Sequence, residues 1–69
     1  MDARVIDWNF TYHAPDDGQT ARIVGIRDTA KGLAELINVS CPESREKALA
    51  LTKLEESVMW ANASIAREA

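Results

Sequence analysis

The sequence predicts an all-α protein: a two-helix antiparallel hairpin behind a short N-terminal arm, assembling into a homo-oligomer. Three observations carry that expectation. Two stretches repeat apolar residues at alternating steps of three and four, the spacing that lines side chains up on one helix face. Only "NVSCP" separates them, and so short a link makes the two helices antiparallel neighbours. Apolar residues such as Leu36, Leu49, Met59 and Trp60 also fall outside both stripes, so a single seam leaves apolar surface uncovered.

Residues 1–17 form the arm and residues 18–69 the hairpin. In the arm, Val5, Asp7 and Asn9 alternate with Ile6, Trp8 and Phe10, which predicts a short extended piece over Val5–Phe10. Pro15 and "DDG" then break the chain. The first long helix is predicted over Thr20–Val39, with Asp16 or Asp17 as N-cap. Its stripe is Ile23, Ile26, Ala30, Leu33 and Ile37. Gly25 and Gly32 share one of its faces, each costing about 0.5–1 kcal/mol relative to alanine. They are either tolerated glycines or a groove where a backbone or flat ligand approaches. "SCPE" fits a capping box, with Ser40 as N-cap and Glu43 at the third helical position; Ser44 is the alternative cap. The second helix runs almost to the end on Leu51, Leu54, Val58, Ala61 and Ile65, and Glu43 precedes Lys47 in the favourable order for a helix pair.

A chain of 69 residues buries only about 60% of its unfolded surface and is marginal alone. Cys41 is the only cysteine and His13 the only histidine, so neither a disulfide nor a zinc site stabilises it. Self-association is the remaining source of stability. "MDARVIDWNF" is neither a signal peptide nor a membrane span, which predicts a soluble intracellular protein with no membrane partner. Eight basic and eleven acidic side chains give a net charge of -3. General nucleic-acid binders carry a basic footprint instead, so duplex nucleic acid is excluded as a partner.

No catalytic constellation is present: there is no Gly-x-Ser-x-Gly, no His-Glu-x-x-His and no phosphate-binding glycine loop. His13 is an ordinary hydrogen-bonding group on a polar arm, and Cys41 before proline lacks a paired base. The expectation is a protein with no enzymatic activity and no cofactor. Binding chemistry is better represented. Arg27 and Lys31 lie one turn apart, with Arg22 nearby and Thr29 in the same turn. Taken alone, such a pair is a solvated helix face. Joined to Tyr12 on the arm it makes a ring to stack on a nucleobase and cations to neutralise phosphate. Asn62, Ser64 and Arg67 cluster in sequence near the C-terminus. There Arg67 either complements the helix dipole or joins a second polar site where helix ends meet.

The segment "SREKALALTKLEESVMWANASIAR", residues 44–67, resembles the signature of the phage anti-CBASS cyclic-nucleotide sponges, which share the Acb/Tad hairpin domain. "FTYHAP" and "AKGLAELI" are similar to that family's arm and first helix, and the resemblance extends from Asn9 to Glu68. It implies a homo-oligomer, in that family a hexamer, that binds cyclic oligonucleotide messengers without cleaving them, in the cytoplasm of the infected bacterial host. It implies cyclic dinucleotides such as 3',3'-cGAMP in pockets shared by two protomers, and cyclic trinucleotides at separate sites. Tyr12 matches the arm tyrosine that stacks on a base, Arg27 a cation near the phosphates with Thr29 beside it, and His13 and Arg67 the trinucleotide site; Lys31 joins the dinucleotide-binding set from the helix-face reading above. The chain departs from the commoner pattern at Gly32 and at Val24, the second of which bears on pocket shape. The rival expectation is a helical-hairpin interaction module that binds a host protein through its apolar faces.

Overall fold

The computed structural model describes residues 2–11 and 14–68, and every regular element among them is an α-helix. They are α1 (Ala3–Asn9), α2 (Asp17–Ser40) and α3 (Arg45–Ala66). No helix among the described residues is long and apolar enough to cross a membrane.

The arm corrects the expectation of an extended piece over Val5–Phe10, because α1 covers most of it. Its backbone groups have no neighbouring strand to pair with, and helix formation satisfies them locally. Asp2 starts the helix by accepting the Arg4 N–H at 2.8 Å, and Thr11 closes it by donating its hydroxyl to the Asp7 carbonyl. No Cα of α1 comes within 8 Å of either long helix. Val5, Ile6 and Phe10 consequently stay exposed.

α2 begins three residues before the predicted Thr20. Asp16 accepts the Gln19 N–H at 2.7 Å, and the Gln19 side chain accepts the Asp16 N–H at 3.0 Å. This reciprocal capping box draws Gly18 and Gln19 into the first turn. Pro42 ends the helix by forcing Cys41 to extended angles (φ -106, ψ 137).

The turn resolves the competition between caps in favour of Ser44, whose Oγ accepts the Lys47 N–H at 3.1 Å. Ser40 belongs to the last turn of α2, so the Ser40–Glu43 box does not form. Glu43 still pairs with Lys47, but from the turn outside α3 and not along one helix. Lys47 is 7% exposed. Its ammonium also donates to the Asn38 carbonyl at 2.9 Å, one of the terminal carbonyls that α2 cannot satisfy itself.

Ile23, Ile26, Ala30 and Ile37 of α2 turn towards α3, and Leu51, Leu54, Val58, Ala61 and Ile65 answer them. Leu33, expected in the seam, is exposed, and Ala34 takes its place. Either position continues the spacing from Ala30, and the smaller side chain lies between the helices. The product is one layer thick. Its extents are 47 × 29 × 13 Å, the shortest close to the roughly 10–12 Å diameter of a single helix. Its radius of gyration is 15.5 Å, against about 11 Å for a compact domain of this length. Among the described residues Ile65 is the only buried apolar side chain, whereas Leu36, Val39, Met59 and Trp60 stay exposed.

Beyond its own helix backbone and chain neighbours, no atom of the described residues lies within 4 Å of where a Cβ on Gly32 would sit. Gly32→Ala is therefore expected to stabilise the protein by about 0.5–1 kcal/mol, read as a higher midpoint in thermal melts followed by circular dichroism. A lower midpoint would place another molecule against that face.

Candidate functional site

The 3.6-residue repeat of α2 distributes the candidate residues over two faces. Arg27 and Lys31, four apart, border one open groove of about 720 Å³ between α2 and α3. Its floor is apolar: Ala30 and Ala34 from α2, Leu51, Leu54 and Val58 from α3. The two alanines give it depth, because they leave the space a longer side chain would fill. Glu35, Asn38 and Glu55 complete the rim. Among the described residues neither Arg27 nor Lys31 has a hydrogen-bond or ion-pair partner. Glu35 lies four residues after Lys31, but this order opposes the helix dipole and is the weaker one. The groove thus offers two uncommitted cations beside an apolar surface, suited to a ligand that is flat and apolar in one part and anionic in another.

Thr29 is not in that groove. Two residues from Arg27, it lies about 200° further round the helix. It borders a second groove of about 530 Å³ with Arg22, Gly25, Ile26 and Ile65. Within one chain the structure brings Arg27 and Lys31 together and separates Thr29 from them. Arg22 does not join the pair either, because its guanidinium grips the Glu68 carboxylate with two bonds of 2.7 Å.

That grip belongs to a cluster at the open end of the hairpin. The Gln19 amide, besides capping α2, donates to the Ile65 carbonyl at 2.9 Å and so satisfies an end group of α3. The Arg22 guanidinium, hydrogen-bonded to Glu68, holds the Glu68 carboxyl below the usual carboxylate range. A carboxyl lowered by folding contributes stability at neutral pH, and that contribution disappears as pH falls through its folded value. The Glu68 side-chain carbon, followed by NMR, should titrate at lower pH in the native chain than in Arg22→Gln. Equal midpoints would refute the pairing.

Arg67 caps α3 through its backbone N–H, which reaches the Ala63 carbonyl at 3.0 Å. Its exposed side chain has no partner among the described residues. Of the three polar residues near the C-terminus, Asn62 differs from Ser64 and Arg67 in exposure. Asn62 follows Val58 by one turn and its Oδ1 is buried, without a hydrogen-bond partner among the described residues; Ser64 and Arg67 are exposed. Tyr12 and His13 lie outside the described residues.

Sequence reasoning missed the Gln19 double role, the Arg22–Glu68 grip and the alanine floor. The first was open to detection, since Asp16 and Gln19 have capping-box spacing. The other two depend on how closely α2 and α3 approach.

The sequence pattern of the family described as "Acb2/Tad1, hairpin domain" matches residues 2–66. Neither a curated protein sequence nor a solved structure matches the chain significantly. The family match takes in the arm, the turn and both long helices, and the two helices supply every residue that lines the groove. The chain belongs to the Acb2/Tad1 hairpin-domain family, the anti-CBASS sponges that its arm and C-terminal helix resemble.

Proposed function

We propose that this protein is a non-catalytic sponge for cyclic oligonucleotide second messengers. It sequesters cyclic dinucleotides such as 3',3'-cGAMP, and cyclic trinucleotides at a second site, and so blocks CBASS anti-phage signalling in the cytoplasm of the infected bacterial host. The observation that carries this reading is the groove in which uncommitted Arg27 and Lys31 flank an apolar floor, in a chain of this family. A nucleobase lies on the floor with Tyr12 stacked over it, while the cations meet the phosphates.

Thr29 points away from Arg27, so a site using both takes Thr29 from a neighbouring protomer. The proposed homo-oligomer, a hexamer as the resemblance implies, makes that arrangement available. Its support is physical: the chain exposes 5479 Å², whereas a compact monomer of this mass exposes about 4,300 Å². The excess is comparable to the surface that stable interfaces bury. His13 and Arg67 are assigned to the trinucleotide site. Sequestration requires affinity and no chemistry. A nanomolar constant corresponds to about -12 kcal/mol, and two stacked bases contribute about 1–3 kcal/mol each. Charge-assisted bonds in a preorganised site contribute the remainder.

The test is bind-and-release. The protein is mixed with 3',3'-linked cyclic di- and trinucleotides, freed of unbound ligand and denatured by heat, and the released material is identified by mass spectrometry. Intact cyclic nucleotide in stoichiometric yield supports the sponge. Linear product makes the protein an enzyme. Nothing released removes the sponge reading and favours a hairpin that binds a host protein through Leu36, Val39 and Trp60, all exposed.

A further inference from the structure

We infer that Arg22 is a phosphate-binding residue of the second groove, and that Glu68 occupies it as an internal stand-in which a phosphodiester ligand displaces. The inference rests on the cyclic-nucleotide reading and adds a residue and a regulatory contact to it.

Arg22 and Thr29 lie seven residues apart on one face of α2, with Gly25 between them and Ile65 of α3 alongside. Beyond its own helix backbone and chain neighbours, a Cβ on Gly25 would meet nothing of the described residues within 4 Å, so the floor between the guanidinium and the hydroxyl carries no side chain at that position. A flat base reaches the helix closely there. The groove therefore carries a cation, a hydroxyl and an apolar wall, the contacts that one nucleotide unit uses.

The cation is occupied, and the manner of its occupation is informative. Both Glu68 oxygens accept from the Arg22 guanidinium at 2.7 Å, the two-pronged geometry that a phosphate also satisfies. Both side chains remain about half exposed, so the contact is wet and screened, and pairs of that kind contribute little to stability. Glu68 lies two residues past Ala66, the last residue of α3, and turning its side chain away leaves its backbone bond to the Ile65 carbonyl in place. The Gln19 amide, which donates to the Ile65 carbonyl at 2.9 Å and lies 3.5 Å from the Glu68 carboxylate, ties α2 to α3 through a bond that does not need Glu68. A phosphate thus replaces the carboxylate while the hairpin stays closed. Asp16, which also bears electrostatically on Arg22, is engaged in capping α2 and does not compete for it.

A purely structural pair and a stand-in differ in sign. If the pair only holds the C-terminus, removing either partner has the same effect on ligand binding. If Glu68 stands in for phosphate, the two removals act in opposite directions. Calorimetric titration with 3',3'-cGAMP is expected to show Glu68→Gln binding about threefold or more tighter than the native chain, and Arg22→Gln about tenfold weaker, the loss of one charge-assisted contact. Circular dichroism should show equal helix content in all three proteins. Shifts of the same sign in both variants, or none in either, overturn the inference and leave the sponge reading standing. If the native chain binds no cyclic nucleotide, the sponge reading fails, and pyrophosphate then decides about Arg22. A saturable shift of the Arg22 Nε–H resonance in Glu68→Gln supports an anion site, and an unmoved resonance overturns it.

Discussion

Replacing Arg27 and Lys31 together by glutamine is expected to weaken capture of 3',3'-cGAMP by about 100- to 10,000-fold. Hydrogen bonds to charged groups contribute about 1.5–3 kcal/mol each, and each 1.4 kcal/mol is about tenfold in affinity. The variant should fold and assemble as the native chain does. Neither cation has a partner among the described residues, and changes at such surface positions stay within about 0.5 kcal/mol. Arg27→Lys should lie in between, because it keeps the charge and loses the planar fork that grips phosphate. Calorimetric titration beside analytical ultracentrifugation separates the two properties. Native-like affinity in the double variant would exclude this groove from the binding site, whatever the protein binds elsewhere.

The long helices were readable from the order of residues because a 3-4 repeat encodes a face directly. Ile23, Ile26 and Ile37, and all five seam residues of α3, lie where the spacing puts them. The arm was not readable in the same way. Over Val5–Phe10 the residues satisfy a period of two as well as a helical one, and what decides is Asp2, a cap outside the alternating run. Leu33 and Ala34 illustrate a finer limit: both continue the stripe, and the approach of α3 selects between them. At the site, the Arg27–Lys31 pair follows from four-residue spacing. The displacement of Thr29 follows from the same arithmetic, since two residues make more than half a turn. The groove beneath the cations has no such signature. Its depth comes from Ala30 and Ala34 facing Leu51 and Leu54 across a distance that no single helix pattern states.

The burial of Lys47 is another property that side-chain spacing conceals, because its partner is a backbone carbonyl nine residues earlier. Lys47→Met is expected to destabilise the protein by about 1.5–3 kcal/mol, the range for a hydrogen bond to a charged group. For a chain of this size that corresponds to a fall in Tm of about 6–24 °C. Methionine keeps most of the buried stem and removes the donor, so the loss reports the bond to the Asn38 carbonyl and not a cavity. Glu43→Gln separates that bond from the ion pair. The Glu43 side chain is 90% exposed, and its attraction for Lys47 is screened by water, so this change should cost less than about 1 kcal/mol. Comparable losses from both variants would show that the carboxylate, and not the helix-end carbonyl, keeps the ammonium buried. Asn38 also borders the groove of Arg27 and Lys31, which ties the turn to binding. With its carbonyl released, the last turn of α2 has to be ordered by the ligand. Lys47→Met should therefore bind more weakly even well below its melting temperature, although Lys47 does not line the groove.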